Sequence, residues 1–375
     1  MATYKKKQTT KGWIAVFCLF ALFAGILVGF FGWILFSRWE NPIQSDTIQS
    51  GDLEIHFLEL GNKYTGDCTY IKAGDVDILI DAGSRTSSIS TITNYIDQYV
   101  TDGILEYVLI THAHEDHYAG FATNAQTDSI FDLYECQTII DFSMTNQSDS
   151  GIMYSNYKRE LADEIEAGAT HYTAQECMES GNSRFDLGNN IFLQILDSYY
   201  YDHTSSSENN YSVCFQLEQG DRRFLFTGDL EAEGEAYLIK LNDLSSVDVY
   251  KAGHHGSKTS STEAFLQVIT PKIVCVCCCA GSSEYTQTQA NQFPTQAFLD
   301  RIAPYTDQVY ITSLCLNYSE NQFTSFNGNI QIHSGTDGLS VSCSSSNFPL
   351  CDSQWLSENR EIPKSWKKSE EQSSS

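Results

Sequence analysis

Residues 108–120 constrain what this chain can fold into more than any other stretch. An apolar, strand-like run at 108–110 opens within two residues into His112, His114, Glu115, Asp116 and His117, and closes on Gly120. Imidazole and carboxylate are the ligands that zinc-class divalent ions select, and four of them on one loop is a density that a solvated turn does not need. His112 and His114 are spaced to point the same way, while Asp116 and His117 fall where the chain turns toward a helix. One loop can therefore serve two adjacent metal positions, provided that a rigid frame brings further ligands to it.

Two other strand ends supply candidates. Residues 223–229 read as a strand ending on Gly228 and Asp229, where a carboxylate has close backbone clearance and room to bridge two ions. Residues 247–251 read as a strand followed by Gly253, His254, His255, Gly256, Ser257 and Lys258, ahead of a helix at 262–269. Five of the nine histidines fall in the loop and in this pair. Three of the others read differently: His56 belongs to an alternating strand at 53–60, and His171 and His203 are expected at the surface.

The remaining pattern is that of an α/β domain over residues 52–350. Strands at 53–60, 68–72 and 76–81 form a meander, and a helix at 87–100 leads to the strand at 106–110. A strand at 137–141, a helix at 153–167 and strands at 191–197, 211–217 and 223–229 follow. Helices at 231–241, 262–269 and 295–303 then alternate with strands at 247–251, 273–279 and 308–313, and short strands at 328–333 and 339–343 close the domain. Residues 351–375, rich in Ser, Glu and Lys, are expected to be a disordered tail.

Before the domain, residues 13–36 carry no charge across 24 positions, long enough to span a bilayer. Lys5, Lys6, Lys7 and Lys11 in the segment 1–12 precede this span and only Arg38 follows it closely. The expectation is an uncleaved signal anchor with a cytoplasmic N-terminus, a linker at 37–51 and an extracellular domain at the cell membrane. In that compartment Cys343 and Cys351 are the expected disulfide. Cys275 and Cys278 lie inside an apolar run and read as small buried strand residues. The formal charge of −26 disfavours a long nucleic-acid partner, because the field of the whole chain repels a polyanion.

Taken together, Ile78 to Gly83, Thr111 to His117, Asn209 to Ser212, Phe226 to Asp229 and Lys251 to Ser257 resemble the metallo-β-lactamase superfamily. The likeness is greatest to the branch of the ComEC/Rec2-like extracellular domains and the surface phosphorylcholine esterases. It implies a four-layer αββα sandwich with the site at one edge of two sheets. It also implies two divalent metal ions, zinc or manganese, and hydrolysis of a phosphoester, small or a component of the cell envelope, by a metal-bound hydroxide. By that likeness His112 and His114 hold one ion, Asp116 and His117 the other, and Asp229 bridges them. Either His254 or His255 completes a site or contacts the phosphate; the working assignment gives the metal to His254, and catalysis and the substrate phosphate to His255. Asp116 and Asp229 join His255 in the catalytic set, and Ser257, Lys258 and Tyr118 are the further substrate contacts. Where members of the family carry His-Pro after the last core strand, this chain has Phe293 and Pro294. A nuclease acting on DNA and a non-catalytic surface protein are the rival readings.

Overall fold

The structure is a computed structural model that describes residues 52–124 and 126–367. The expected membrane span at 13–36, with the segments on either side of it, lies outside the described residues. Among those described, no helix is long and apolar enough to cross a membrane.

Six strands open the fold: β1 (Leu53–Phe57), β2 (Thr69–Ala73), β3 (Val76–Ile80), β4 (Ile104–Leu109), β5 (Glu135–Asp141) and β6 (Thr170–Thr173). The first three form the expected antiparallel meander, and β4, β5 and β6 then add in parallel. The chain crosses next to a second sheet made of β7 (Arg184–Asp186), β8 (Ile191–Ile195), β9 (Phe215–Gln219), β10 (Arg222–Phe226), β11 (Val249–Lys251), β12 (Ile273–Ala280), β13 (Val309–Asn317) and β14 (Gln322–Ser325). It returns with β15 (Ile330–Gly335) and β16 (Gly338–Cys343), so each sheet has eight strands. β10, β11, β12 and β13 run parallel, and their neighbours antiparallel.

The two sheets face one another, and the side-chain alternation along each strand shows how. Phe224 and Phe226 point into the core shared with the first sheet, where Phe226 stacks on Phe215 at 4.6 Å and on Phe57 at 6.1 Å. Leu225, between them, points the other way, into a core closed by the helices Ala232–Leu241, Glu263–Ile269 and Gln296–Ile302. β12 divides likewise, with Cys275 and Cys277 facing inward and Val274, Val276 and Cys278 facing the helices. A strand buried on both faces reads as an unbroken apolar run, and small thiols suit it because each fills a tight layer without a polar demand.

Two expectations need correction. Cys343 and Cys351 do not form a disulfide with one another. Residues 351–367 are not a disordered tail: a helix at Gln354–Asn359 and a turn at Lys364–Trp366 bring Leu356 and Trp366 into the second core beside Leu350. Few apolar residues lie in this segment, but these sit where the turns aim them inward. Arg360 fastens the strap further by donating to the carbonyls of Gln292 and Pro294, at 2.8 and 3.1 Å.

Candidate metal centre

Where parallel strands end, backbone groups and side chains converge in a crevice at the carboxyl edge. Here two such edges meet: Asp81 follows β3, the 112–117 loop follows β4, Asp229 follows β10, the His254–His255 pair follows β11, and a long loop carrying Tyr285 and Phe293 follows β12. Asp67 enters just ahead of β2. Tight backbone contacts lock these loops together. The amide of Asp67 donates to the carbonyl of Asp116 at 2.9 Å, and that of Ala82 to the carbonyl of His117 at 2.7 Å. Gly83 is required here, because a Cβ at that position would lie 1.7 Å from the Asp116 carbonyl oxygen.

Asp67, His117, Asp229 and His255 are all buried, and each offers a ligand atom lying within 4.8 Å of the others. The Nε2 atom of His117 is 3.2 Å from Asp229 Oδ2 and 3.3 Å from His255 Nε2, and its Nδ1 is 2.7 Å from Asp81 Oδ2. His255 Nε2 lies 3.4 Å from both Asp229 Oδ2 and Asp116 Oδ2, while its Nδ1 donates to the Cys277 carbonyl at 2.9 Å. Each ring thus has its outer nitrogen engaged and its inner nitrogen facing the cluster, the arrangement that fixes a ligating imidazole. His254 and His255 adopt left-handed backbone, φ 47° and 54°, a strained conformation for residues with a side chain and one that clusters at functional sites.

Charge balance within the cluster follows from burial opposed by close partners. Burial alone would depress the His117 and His255 imidazoliums. The carboxylates of Asp229 and Asp81 around His117, and of Asp229 and Asp67 around His255, prevail and hold both well above the usual histidine value. Burial would raise Asp229, Asp67 and Asp116, but the facing imidazoles, with the Lys251 ammonium beside Asp67, hold all three below the usual carboxylate range. For His112, burial and the neighbouring His117 outweigh the pull of Asp229 and Asp116 and take it well below the normal imidazole value.

The residues fit a divalent cation. The Oδ1 atoms of Asp67 and Asp229 are buried without a hydrogen-bond partner among the described residues, an expensive state for a carboxylate unless a cation shares the site. His112 and His114 stand next to the cluster, the His112 ring 4.2 Å from that of His117, with His112 Nε2 and His114 Nδ1 3.0 Å apart.

The structure thus brings His112, His114, Asp116, His117, Asp229 and His255 together. It separates the histidine pair by depth: His255 is 1% exposed, whereas His254 sits at the rim, its Nε2 3.9 Å from Asp229 and its Nδ1 3.1 Å from Thr259 Oγ1. Ser257 is buried with its hydroxyl on Thr259, and Lys258 is exposed and reaches Asn291. Tyr118 is no substrate contact. It is 2% exposed and packs edge-on against Tyr157, because the helical turn after His117 carries it under the loop. His171 is held by Asp141 at 2.8 Å rather than standing free at the surface.

Four residues escaped the sequence reading. Asp67 carried the same signal as Asp229, a carboxylate directly after glycine at a strand boundary. Lys251, 3% exposed, heads the motif at 251–257 but was given no role there, and it pairs with Asp67; Glu208, which accepts from the amide of Ala113 at 3.3 Å, had no motif to reveal it. Tyr285 lies in a loop without pattern, and its hydroxyl donates to Asp116 Oδ2 at 2.9 Å.

Comparison with known proteins agrees with this architecture. The family model described as Metallo-beta-lactamase superfamily matches residues 61–128 and 207–280. ComE operon protein 3 of Bacillus subtilis is 41% identical over 103 residues, which are 26% of this chain and 13% of that protein. Recombination protein 2 of Haemophilus influenzae is 26% identical over 293 residues, 77% of this chain and 30% of that protein. The chain therefore spans less than a third of the length of either relative. Among solved structures, the metallo-beta-lactamase fold protein YhfI from Bacillus subtilis aligns with a TM-score of 0.41 at 11% identity, over 69% of this chain and 96% of YhfI. The segments matched by the family model contain the 112–117 loop, Asp229 and the His254–His255 pair: the chain carries a metallo-beta-lactamase superfamily domain, and that domain is ComEC-like.

Proposed function

We propose that this chain is a metal-dependent phosphoester hydrolase, anchored in the cell membrane by residues 13–36 with its domain outside the cell, and that it works with two divalent ions, zinc or manganese. The observation that carries the reading is the buried cluster of two carboxylates and two imidazoles beside His112 and His114, with two carboxylate oxygens that have no hydrogen-bond partner among the described residues. One position would be held by Asp67, His117, Asp229 and His255, the other by His112 and His114 with Asp229 between them. When bound, such ions supply Lewis acidity and make a coordinated water acidic near neutral pH.

The chain's own groups do the rest. Asp116, facing His255 and Tyr285, accepts a hydrogen bond from the attacking water and orients it. Lys251 neutralises Asp67 from below, which limits the repulsion between the gathered carboxylates. His254, at the rim with a side chain about a fifth exposed, faces an incoming ester and donates to its phosphate or leaving group. Exposed Lys258 offers a cation for the same phosphate. The substrate is a small phosphoester or a component of the cell envelope.

A second reading, a nuclease acting on DNA, is favoured by the similarity to Recombination protein 2 and opposed by the formal charge of −26. Metal analysis of the purified chain, followed by assays on bis-p-nitrophenyl phosphate, p-nitrophenyl phosphorylcholine and single-stranded DNA, decides between them. Bound metal with turnover of the small esters supports the first reading, and preference for DNA supports the second. Absence of both metal and turnover overturns both.

A further inference from the structure

The loop after β12 places two aromatic rings at the mouth of the centre. Phe293 has its ring centroid 5.6 Å from each of the His254, His255 and Tyr285 rings. Tyr285 is 56% exposed, yet its hydroxyl reaches Asp116 Oδ2, an oxygen that also lies 3.4 Å from His255 Nε2. One side chain therefore shows a ring to solvent and a donor to the buried cluster.

The surroundings hold this ring in place. Glu284, next in the chain and 5% exposed at its side chain, pairs with Arg85 at 2.9 Å and accepts from the Thr65 amide at 2.9 Å. At the other end of the loop Arg360 grips the carbonyls of Gln292 and Pro294, on either side of Phe293. A loop fixed at both ends, with a tyrosine at its solvent face, is a positioned contact rather than a mobile flap.

We infer that Tyr285 is a substrate-contacting residue of this site: its hydroxyl turns its one proton from Asp116 to a phosphoryl oxygen when an ester binds, and its exposed ring, backed by Phe293, carries a flat or apolar group on the ester. The geometry supports both halves. A phosphoryl group seated at the mouth, on the side of Asp116 that Tyr285 faces, lies within one hydrogen bond of the Tyr285 hydroxyl. The substituent of that phosphorus directed toward the mouth meets the ring face, where aromatic contact adds to simple burial of area. The substrate class is thus an ester with a planar or apolar substituent next to the phosphorus, in preference to one with a small alkyl group.

This inference rests on the phosphoesterase reading, and the test keeps the two apart. The full chain, metal-loaded, is assayed with phenyl p-nitrophenyl phosphate and methyl p-nitrophenyl phosphate, which share a leaving group and differ in the other substituent. Tyr285→Phe should lower kcat on both by about tenfold or more, with unchanged metal content and KM, because one donor to the reacting phosphoryl group is gone. Tyr285→Ala should in addition lower the phenyl-over-methyl preference in kcat/KM roughly threefold to tenfold, whereas Tyr285→Phe keeps it. Calorimetric binding of phenylphosphonate and methylphosphonate should show the same loss of preference in Tyr285→Ala alone. If wild type turns over neither ester, the hydrolase reading falls while the phosphonate arm still judges Tyr285. Wild-type kcat in Tyr285→Phe, or an intact phenyl preference in Tyr285→Ala, overturns the inference.

Discussion

The inner imidazoles, His117 and His255, and the outer pair, His112 and His114, are held in opposite ways. Each inner ring has its outer nitrogen on a strong buried acceptor, Asp81 at 2.7 Å or the Cys277 carbonyl at 2.9 Å, so the other nitrogen faces the cluster. Among the described residues the outer rings have no such backing. There the Nδ1 of His112 meets hydroxyls, Thr111 at 3.1 Å and Ser212 at 3.5 Å, and its Nε2 is taken up by His114. An ion entering the inner position finds ligands already aimed, whereas one entering the outer position must first break the contact between the His112 and His114 rings. On the two-ion reading proposed above, the inner position is thus prebuilt and the outer one conditional, and metal titration should proceed in two separable events.

The largest test of that contrast is ligand removal. His255→Ala should weaken the tight event by about 10³-fold, one ligand's share of a structural-strength metal interaction, as read by competition with a chelating dye. His114→Ala should remove the weak event and leave the tight one. Equal damage to both events from either substitution would erase the distinction.

Acidity provides the next test, because His112 is shifted in the opposite direction from His117 and His255. His117 and His255 are raised and protonated when the centre is metal-free, so an ion binding there displaces protons, and each proton displaced makes affinity fall about tenfold per pH unit on acidification. His112 is depressed and has no proton to lose near neutrality, so the weak event should be flatter with pH. The same shifts govern stability of the metal-free chain. The raised imidazoles stabilise it fully below the unfolded value and lose that as pH rises through the folded one. The lowered carboxylates Asp67, Asp116 and Asp229 stabilise it above their unfolded value and lose that as pH falls. Thermal melts of metal-free protein should therefore peak at roughly pH 4 to 6.5, a window that metal addition extends upward.

A smaller effect comes from the acceptor behind the ring. Asp81 takes three hydrogen bonds, from His117 Nδ1 and from the Thr111 amide and hydroxyl, both at 2.8 Å. Asp81→Asn keeps the shape and removes the charge, and should cost the tight event roughly 10- to 100-fold, the usual toll for a partner of a ligating histidine. A cost that fell on the weak event instead would place the backing on the wrong pair.

Much of this was legible beforehand, for identifiable reasons. Ligand types concentrated at 112–117 and 254–255 stood out against apolar strands, and strand alternation fixed which edge carried them. What stayed hidden was depth. Neighbours in sequence, His254 and His255 differ because consecutive left-handed residues turn one ring inward and leave the other at the rim, and composition does not encode that turn. Asp67 was missed because a glycine–carboxylate step also makes ordinary turns; the meeting of the two sheet edges is what brings it Lys251, His255 and His117. The strap at 351–367 was hidden by polar composition around its few apolar anchors. β6, β7 and β14, only three or four residues long, lack enough alternation to register.

The smallest expected effect concerns what keeps the outer pair in place at all. Ala113, between His112 and His114, has its amide on Glu208 Oε1 at 3.3 Å and its carbonyl on Gln147 Nε2 at 2.8 Å, so side chains from two other loops set the orientation of that peptide. Glu208 also accepts from Thr145 Oγ1 at 2.7 Å and the Asn146 amide at 2.6 Å, which ties the 142–147 loop to the outer histidines. Glu208→Ala would leave the buried Ala113 amide without its acceptor, at a cost of about 1–3 kcal/mol in urea unfolding. It should weaken the second metal event severalfold and leave the first unchanged, because none of these bonds reaches His117 or His255. Glu208→Gln, which retains an oxygen for the Ala113 amide, should recover some of each loss. If Glu208→Ala instead weakened the tight event, the two halves of the centre would be mechanically one, and the contrast between a prebuilt and a conditional site would not hold.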